Sequence, residues 1–183
     1  MTPIPRSLVV RSAGLLLLAG LLGACASAPP PAPEPAAPAP LTDATPEQMV
    51  AAIRQAAGDG EGELSVQPLR DARVEDLRER AAREEAARDY ASAAASLDAA
   101  LEIVPQDPAL LQERAEVALL QGEPATAGEL AQRAYALGAQ VGPLCRRHWA
   151  TLQQLRLLEG DAEGAAQAQA QVDGCKAGVL DRF

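Results

Sequence analysis

The stretch RDYASAAASLDAALEIVP, residues 88–105, decides how this chain is read. Ala93, Leu97, Ala100 and Leu101 recur at i, i+4, i+7 and i+8, one face of a helix. Half of that face is alanine, which has the best helix propensity and lets a neighbouring helix approach closely. Asp107-Pro108 then supplies a cap and a first-turn proline for the next helix. Thirty-four residues after Arg88-Asp89-Tyr90 stands Gly122-Glu123-Pro124, leading to Ala127, Ala131 and Ala134. A third copy runs through Trp149, Leu152, Gly160-Asp161 and Ala165, displaced by four extra residues between Ala139 and Arg146. A fixed period of this length signals one supersecondary unit repeated along the chain.

The pattern resembles the tetratricopeptide repeat, a helix, a Gly-Asp-type turn and a second helix, with small residues where the two cross. Repeat one fits from Val74 to Asp107, with Ala81, Tyr90, Ala93, Leu97, Ala100 and Pro105 at pattern positions. Repeat two fits from Pro108 to about Val141, and repeat three from Arg146 to about Cys175, where Val172 replaces the second-helix alanine. The resemblance implies an all-α fold, a short α-solenoid of about three helix hairpins over residues 74–179. About three repeats is the lower limit for a stable stack, and terminal repeats need polar caps. Only Lys176 to Phe183 follow Cys175, too few for a further capping helix. The last hairpin is therefore expected to be exposed on one side, stabilised in another way, or covered by a partner.

Upstream, Thr45-Pro46-Glu47-Gln48 is a helix start: a Thr N-cap, Pro at the first helical position and Gln at the third. Met49, Val50 and Ile53 form one apolar stripe, and Gly58-Asp59-Gly60 ends the helix. This helix and the irregular segment after it occupy residues 45–73. It either caps the first repeat or lies in the groove of the array, and capping is the expectation. Residues 61–70 read as extended or irregular, with Val66 and Leu69 able to dock and Pro68 blocking a helix interior.

Residues 28–40, APPPAPEPAAPAP, form a tether of polyproline II character within a linker spanning 25–44. Before it, Arg6 and Arg11 precede an apolar run ending in Leu22-Gly23-Ala24-Cys25, the layout of a secretory signal over residues 1–24. Cysteine directly after Leu-Gly-Ala resembles a bacterial lipobox, which implies a diacylated Cys25 as the first mature residue. Ala26 and Ser27 follow, with no Asp of the kind that retains lipoproteins in the inner membrane, so the expected site is the outer membrane, facing the periplasm.

Removing residues 1–24 takes away two arginines and no acidic residue, which carries the net charge from −9 to −11. An acidic body is repelled by nucleic acid and anionic lipid, so neither is an expected partner and membrane attachment falls to the acyl chains. Aromatic residues make up only 2% of the chain, too few for a thick globular interior.

Cys145 lies 15 residues before Gly160, and Cys175 lies 14 residues after Asp161. Two helices of equal rise meeting at a tight turn bring their far ends together, and an oxidising periplasm favours a disulfide there. The competing reading is two free thiols, since packed helix axes stand about 8–10 Å apart. His148 is the only histidine and no second ligand group accompanies it, so no metal or other cofactor is expected. Glu84-Glu85 are adjacent and point to different helix faces, and no G-x-S-x-G element occurs, so an enzyme is not expected.

Recognition remains. Tetratricopeptide arrays bind peptides or helices along a concave groove lined by first-helix side chains. Here the resemblance places Arg78 and Glu85, Gln112 and Glu116, and Arg147 and Gln154 along that lining. The family's carboxylate-clamp asparagines are replaced by Ala82, Glu116 and Gln154, which argues against that kind of tail binding. Small lipoproteins with such repeats serve outer-membrane barrel assembly, secretin piloting and peptidoglycan enzymes. The expected function is a non-enzymatic, lipid-anchored adaptor for envelope proteins. The alternatives are a structural lipoprotein that self-associates through its uncapped last repeat and, less favoured, an accessory cell-wall enzyme.

Overall fold

The structure, a computed structural model, describes residues 37–58 and 71–176. The signal segment, Cys25, most of the Pro/Ala tether, residues 61–70 and the last seven residues lie outside it. The described residues hold seven helices and no strand: α1 (Pro46–Ala57), α2 (Ala72–Ala86), α3 (Tyr90–Ile103), α4 (Pro108–Leu120), α5 (Pro124–Leu137), α6 (Pro143–Leu158) and α7 (Ala162–Gly174). The last six pair as antiparallel hairpins α2/α3, α4/α5 and α6/α7, stacked in order through α3 on α4 and α5 on α6. This is a short all-α solenoid preceded by one helix.

Local chemistry sets each boundary. The Thr45 hydroxyl accepts from Gln48 N–H while the Gln48 side chain accepts from Thr45 N–H, a complete capping box at the start of α1. Asp71, Asp89, Asp107 and Asp161 each accept backbone N–H bonds at the starts of α2, α3, α4 and α7. The turn inside each hairpin needs one residue in the left-handed region. Gly122 and Gly160 supply it at φ 75°, but in the first hairpin Arg88 holds φ 60°. A side chain there costs about 1 kcal/mol that glycine avoids.

Between hairpins the packing runs on alanine. Ala93, Ala100, Ala127, Ala131 and Ala134 have no exposed surface. Without longer side chains the helices sit close, and a thin chain still excludes water. α4 is the central helix, buried on nearly every side from Leu110 to Leu120.

Sequence reasoning expected α1 to cap the first repeat, and the structure corrects this. α1 lies across the concave face, packed mainly on α6 and secondarily on α4, the first helices of hairpins three and two. Its stripe of Met49, Val50 and Ile53 is 4% exposed or less. The apolar ground for Val50 and Ile53 is the cluster of Ala118, Leu119, Leu120, Ala150 and Leu155, on α4 and α6. The segment before α1 docks as well: Leu41 N–H donates to Leu157 O at 2.8 Å, and Pro38 and Ala39 lie against Gly160 so closely that a Cβ there would meet Ala39 O at 2.5 Å.

Among the described residues, the open end of the last hairpin is closed by a covalent bond and a backbone hydrogen bond. A disulfide joins Cys145 and Cys175 with their Cα atoms 5.8 Å apart, and Gly142 N–H donates to Cys175 O at 2.6 Å. Both cysteines sit where the helix ends converge, nearer than the usual interaxial distance. The outer face of α7 carries Glu163, Gln167, Gln169, Gln171 and Asp173 with exposed alanines, a polar cap rather than an apolar patch.

Candidate functional site

The concave face is built from the inward sides of α2, α4 and α6, with α1 laid over part of it. At its centre stands Glu116, whose side chain has no exposed surface. One carboxylate oxygen accepts from Arg54 Nε at 2.8 Å; Arg147 reaches both oxygens, with its Nη2 at 2.6 Å, and Gln112 Nε2 donates at 2.9 Å. A buried charge is tolerated only when paired and hydrogen-bonded, and here two guanidiniums and an amide meet that requirement. Arg54 also forms a bidentate pair with Glu85 at 2.8 and 2.9 Å, tying α1 to α2 as well as α4. The two carboxylates hold the Arg54 guanidinium firmly protonated, Glu85 contributing most. In the same last turn of α1, Arg146 donates to the Ala57 carbonyl through Nε at 2.9 Å and Nη2 at 2.6 Å, a cation on a helix C-terminus.

The network continues inward. Gln112 Nε2 also donates to Thr151 Oγ1 at 2.8 Å, and its Oε1 stands 2.7 Å from His148 Nδ1, so Nδ1 carries the proton and donates. That leaves Nε2 as a lone-pair nitrogen, buried without a hydrogen-bond partner, as Trp149 Nε1 also is. Tyr135 packs edge-on against both rings, its centroid 4.9 Å from that of Trp149. Burial, reinforced by the Arg147 charge, pushes the His148 imidazole down to about 4 from an ordinary 6.5. The unfolded chain therefore takes up this proton near pH 6.5 and the folded chain does not until about 4. Stability is unaffected above 6.5, falls as pH drops through this window, and is lost by up to about 3 kcal/mol. In urea unfolding at pH 7.5 and pH 5, the wild type should lose about 2 kcal/mol more than His148→Gln, which keeps a donor and cannot titrate there. Parallel pH profiles would show that His148 is not held neutral.

The six side chains placed on the groove by the sequence therefore have separate fates. Glu85, Gln112, Glu116 and Arg147 converge in one network, but Gln112 and Glu116 are fully buried and do not line an open groove. Glu116 is overlaid by Arg54 of α1 and by Arg147, and Gln112 is enclosed against Thr151 and His148 of α6. Gln154 is half-buried further along α6 and stands outside this network. Arg78 faces the part of the concave surface that α1 leaves open, pairing with Glu75 at 2.9 Å and in bidentate fashion with Glu113. There a cleft of about 520 Å³ remains, floored by Ala81, Ala82, Ala86, Leu97 and Val117 and rimmed by Arg54, Arg78, Arg147, Glu79, Glu85 and Glu113. A second, smaller cleft continues along α1 past Glu47, Ala51 and Tyr90, sharing Arg54 and Glu85 with the first.

Arg54, Thr151 and His148 were absent from the sequence-derived set. Only Arg54 left a trace, as a cation directly after the last aliphatic of an amphipathic stripe. Among the described residues no group of three or more His, Cys, Asp and Glu side chains is placed to hold a metal ion, and no helix is long and apolar enough to cross a membrane.

No protein-family model and no curated protein matches the chain. A solved structure does: the globular C-terminal domain of LpoP from P. aeruginosa, 32% identical in sequence with a TM-score of 0.54. The similarity spans 57% of this chain and 99% of that domain. At that identity and coverage, the chain belongs to the family of the globular C-terminal domain of LpoP.

Proposed function

We propose that this protein is a non-enzymatic adaptor of tetratricopeptide type, held at the outer membrane by acylated Cys25 and binding an envelope protein on its concave face. The observation that carries the reading is the open cleft beside α2. Its floor is mostly alanine, with Leu97 and Val117, low enough for another backbone to approach, and its rim is charged with both signs. Such a surface gives close packing at the centre and electrostatic choice at the edge, the usual anatomy of a recognition site. The Cys145–Cys175 bond supports an oxidising compartment. The LpoP similarity supports the layout, a globular domain at the C-terminal end of a longer chain.

Ala82 is exposed within the cleft, so Ala82→Trp fills it without disturbing a core position. The expected result is at least about a tenfold loss of partner capture, with an unchanged thermal melt. Full capture by the filled cleft would refute the site. Cys25→Ser should leave the repeats folded and move the protein from the membrane to the soluble fraction, as judged by fractionation. A variant that stays membrane-bound would remove the acyl anchor from the account.

A further inference from the structure

α1 contacts the repeats as a docked ligand does. Val50 and Ile53, three residues apart, fill the apolar strip between α4 and α6. Arg54, directly after the second aliphatic, enters a slot between Glu85 and Glu116. Ala57 ends the helix on the Arg146 guanidinium. Each contact is a reading chemistry in its own right: aliphatics against an apolar strip, paired carboxylates against a guanidinium, and a cation against a helix C-terminus. None of them requires α1 to belong to the same chain.

We infer that the concave face is a receptor for an amphipathic helix carrying two aliphatics spaced by three and an arginine directly after the second, and that α1 is its resident occupant, displaced by a partner helix of the same pattern. This rests on the adaptor reading and names the partner's chemistry. Two features suit exchange. The clefts beside α1 share Arg54 and Glu85 with the slot, so an incoming helix has an approach along the flank of the one it replaces. Glu116 is held by Arg147 as well as Arg54, so withdrawal of α1 does not strand a bare carboxylate in the core.

The test uses the full mature chain, residues 25–183 with Cys25→Ser, and a fluorescein-labelled peptide of residues 45–58. A helix on the same chain competes at millimolar effective concentration, so anisotropy should show weak binding to the unmodified domain and about tenfold tighter binding to Arg54→Ala and Ile53→Ala. A peptide carrying Arg54→Glu should lose about tenfold against all three proteins. Equal affinity of the unmodified domain and both variants, or full binding of the Arg54→Glu peptide, overturns the inference. If the variants lose their cooperative melt, hydrogen exchange on the unmodified domain decides. Saturating peptide should strip protection from α1 amides while those of α4 and α6 keep theirs; unchanged α1 protection overturns the inference. Peptide failure with partner capture still sensitive to Ala82→Trp strikes the helix receptor alone. Peptide exchange with capture indifferent to Ala82→Trp strikes the adaptor reading of the cleft.

Discussion

Replacing both Cys145 and Cys175 by alanine, or reducing the bond that joins them, should cost about 3–4 kcal/mol of unfolding free energy. The bond closes a loop between residues 30 apart, and closure removes denatured-state freedom that no other contact in the third hairpin restrains. That hairpin also carries α1 and the segment before it, so its loosening reaches beyond the hairpin itself. The melting temperature should fall by about 10 °C or more. Because α1 packs chiefly on α6, loosening α6/α7 should also release α1. Urea unfolding with and without reductant, followed through Trp149 on α6, measures the loss. Coincident curves would mean the hairpin is held by packing alone.

The second large effect belongs to Glu116. Glu116→Ala should cost about 2–3 kcal/mol, below the usual range for breaking a buried ion pair because Arg54 and Arg147 keep part of their surface in water, 41% and 22% exposed. Three groups lose an acceptor together: two guanidiniums and the Gln112 amide. Glu116→Gln keeps the volume and one acceptor, and should cost less than half as much. Chemical unfolding of the two variants gives the comparison. If Ala and Gln are equally mild, the carboxylate is not the centre of the network.

The local signals were legible because each rests on neighbours in sequence. The Thr45–Gln48 box, the Asp-Pro cap at 107–108, the left-handed Gly160 and the alanine stripe of α3 depend on residues within one or two turns. The repeat was legible because identical needs recur 34 residues apart. The pairing of Cys145 with Cys175 was favoured over two free thiols by arm lengths about a single turn.

The position of α1 was not legible. Its stripe says that it docks, and the same stripe fits any apolar strip. The contacts that choose the strip lie far along the chain: Arg54 with Glu116 at a separation of 62 residues, and Arg146 with Ala57 at 89. Gln112 and Glu116 were placed on the concave lining, where pattern position puts them, yet both are buried by partners far along the chain: Thr151 and His148 for Gln112, Arg54 and Arg147 for Glu116. His148 looked isolated because its partner, Gln112, sits one repeat away.

The proposed meeting place with an envelope partner is the concave cleft beside α2. A photo-crosslinking amino acid placed singly at Ala82 in the cleft, and at Gln167 on the outer face of α7, tests it in intact cells. One discrete adduct with another envelope protein is expected from position 82 and none from position 167. Adducts from position 167 alone, or only crosslinks between copies of this chain, would contradict it.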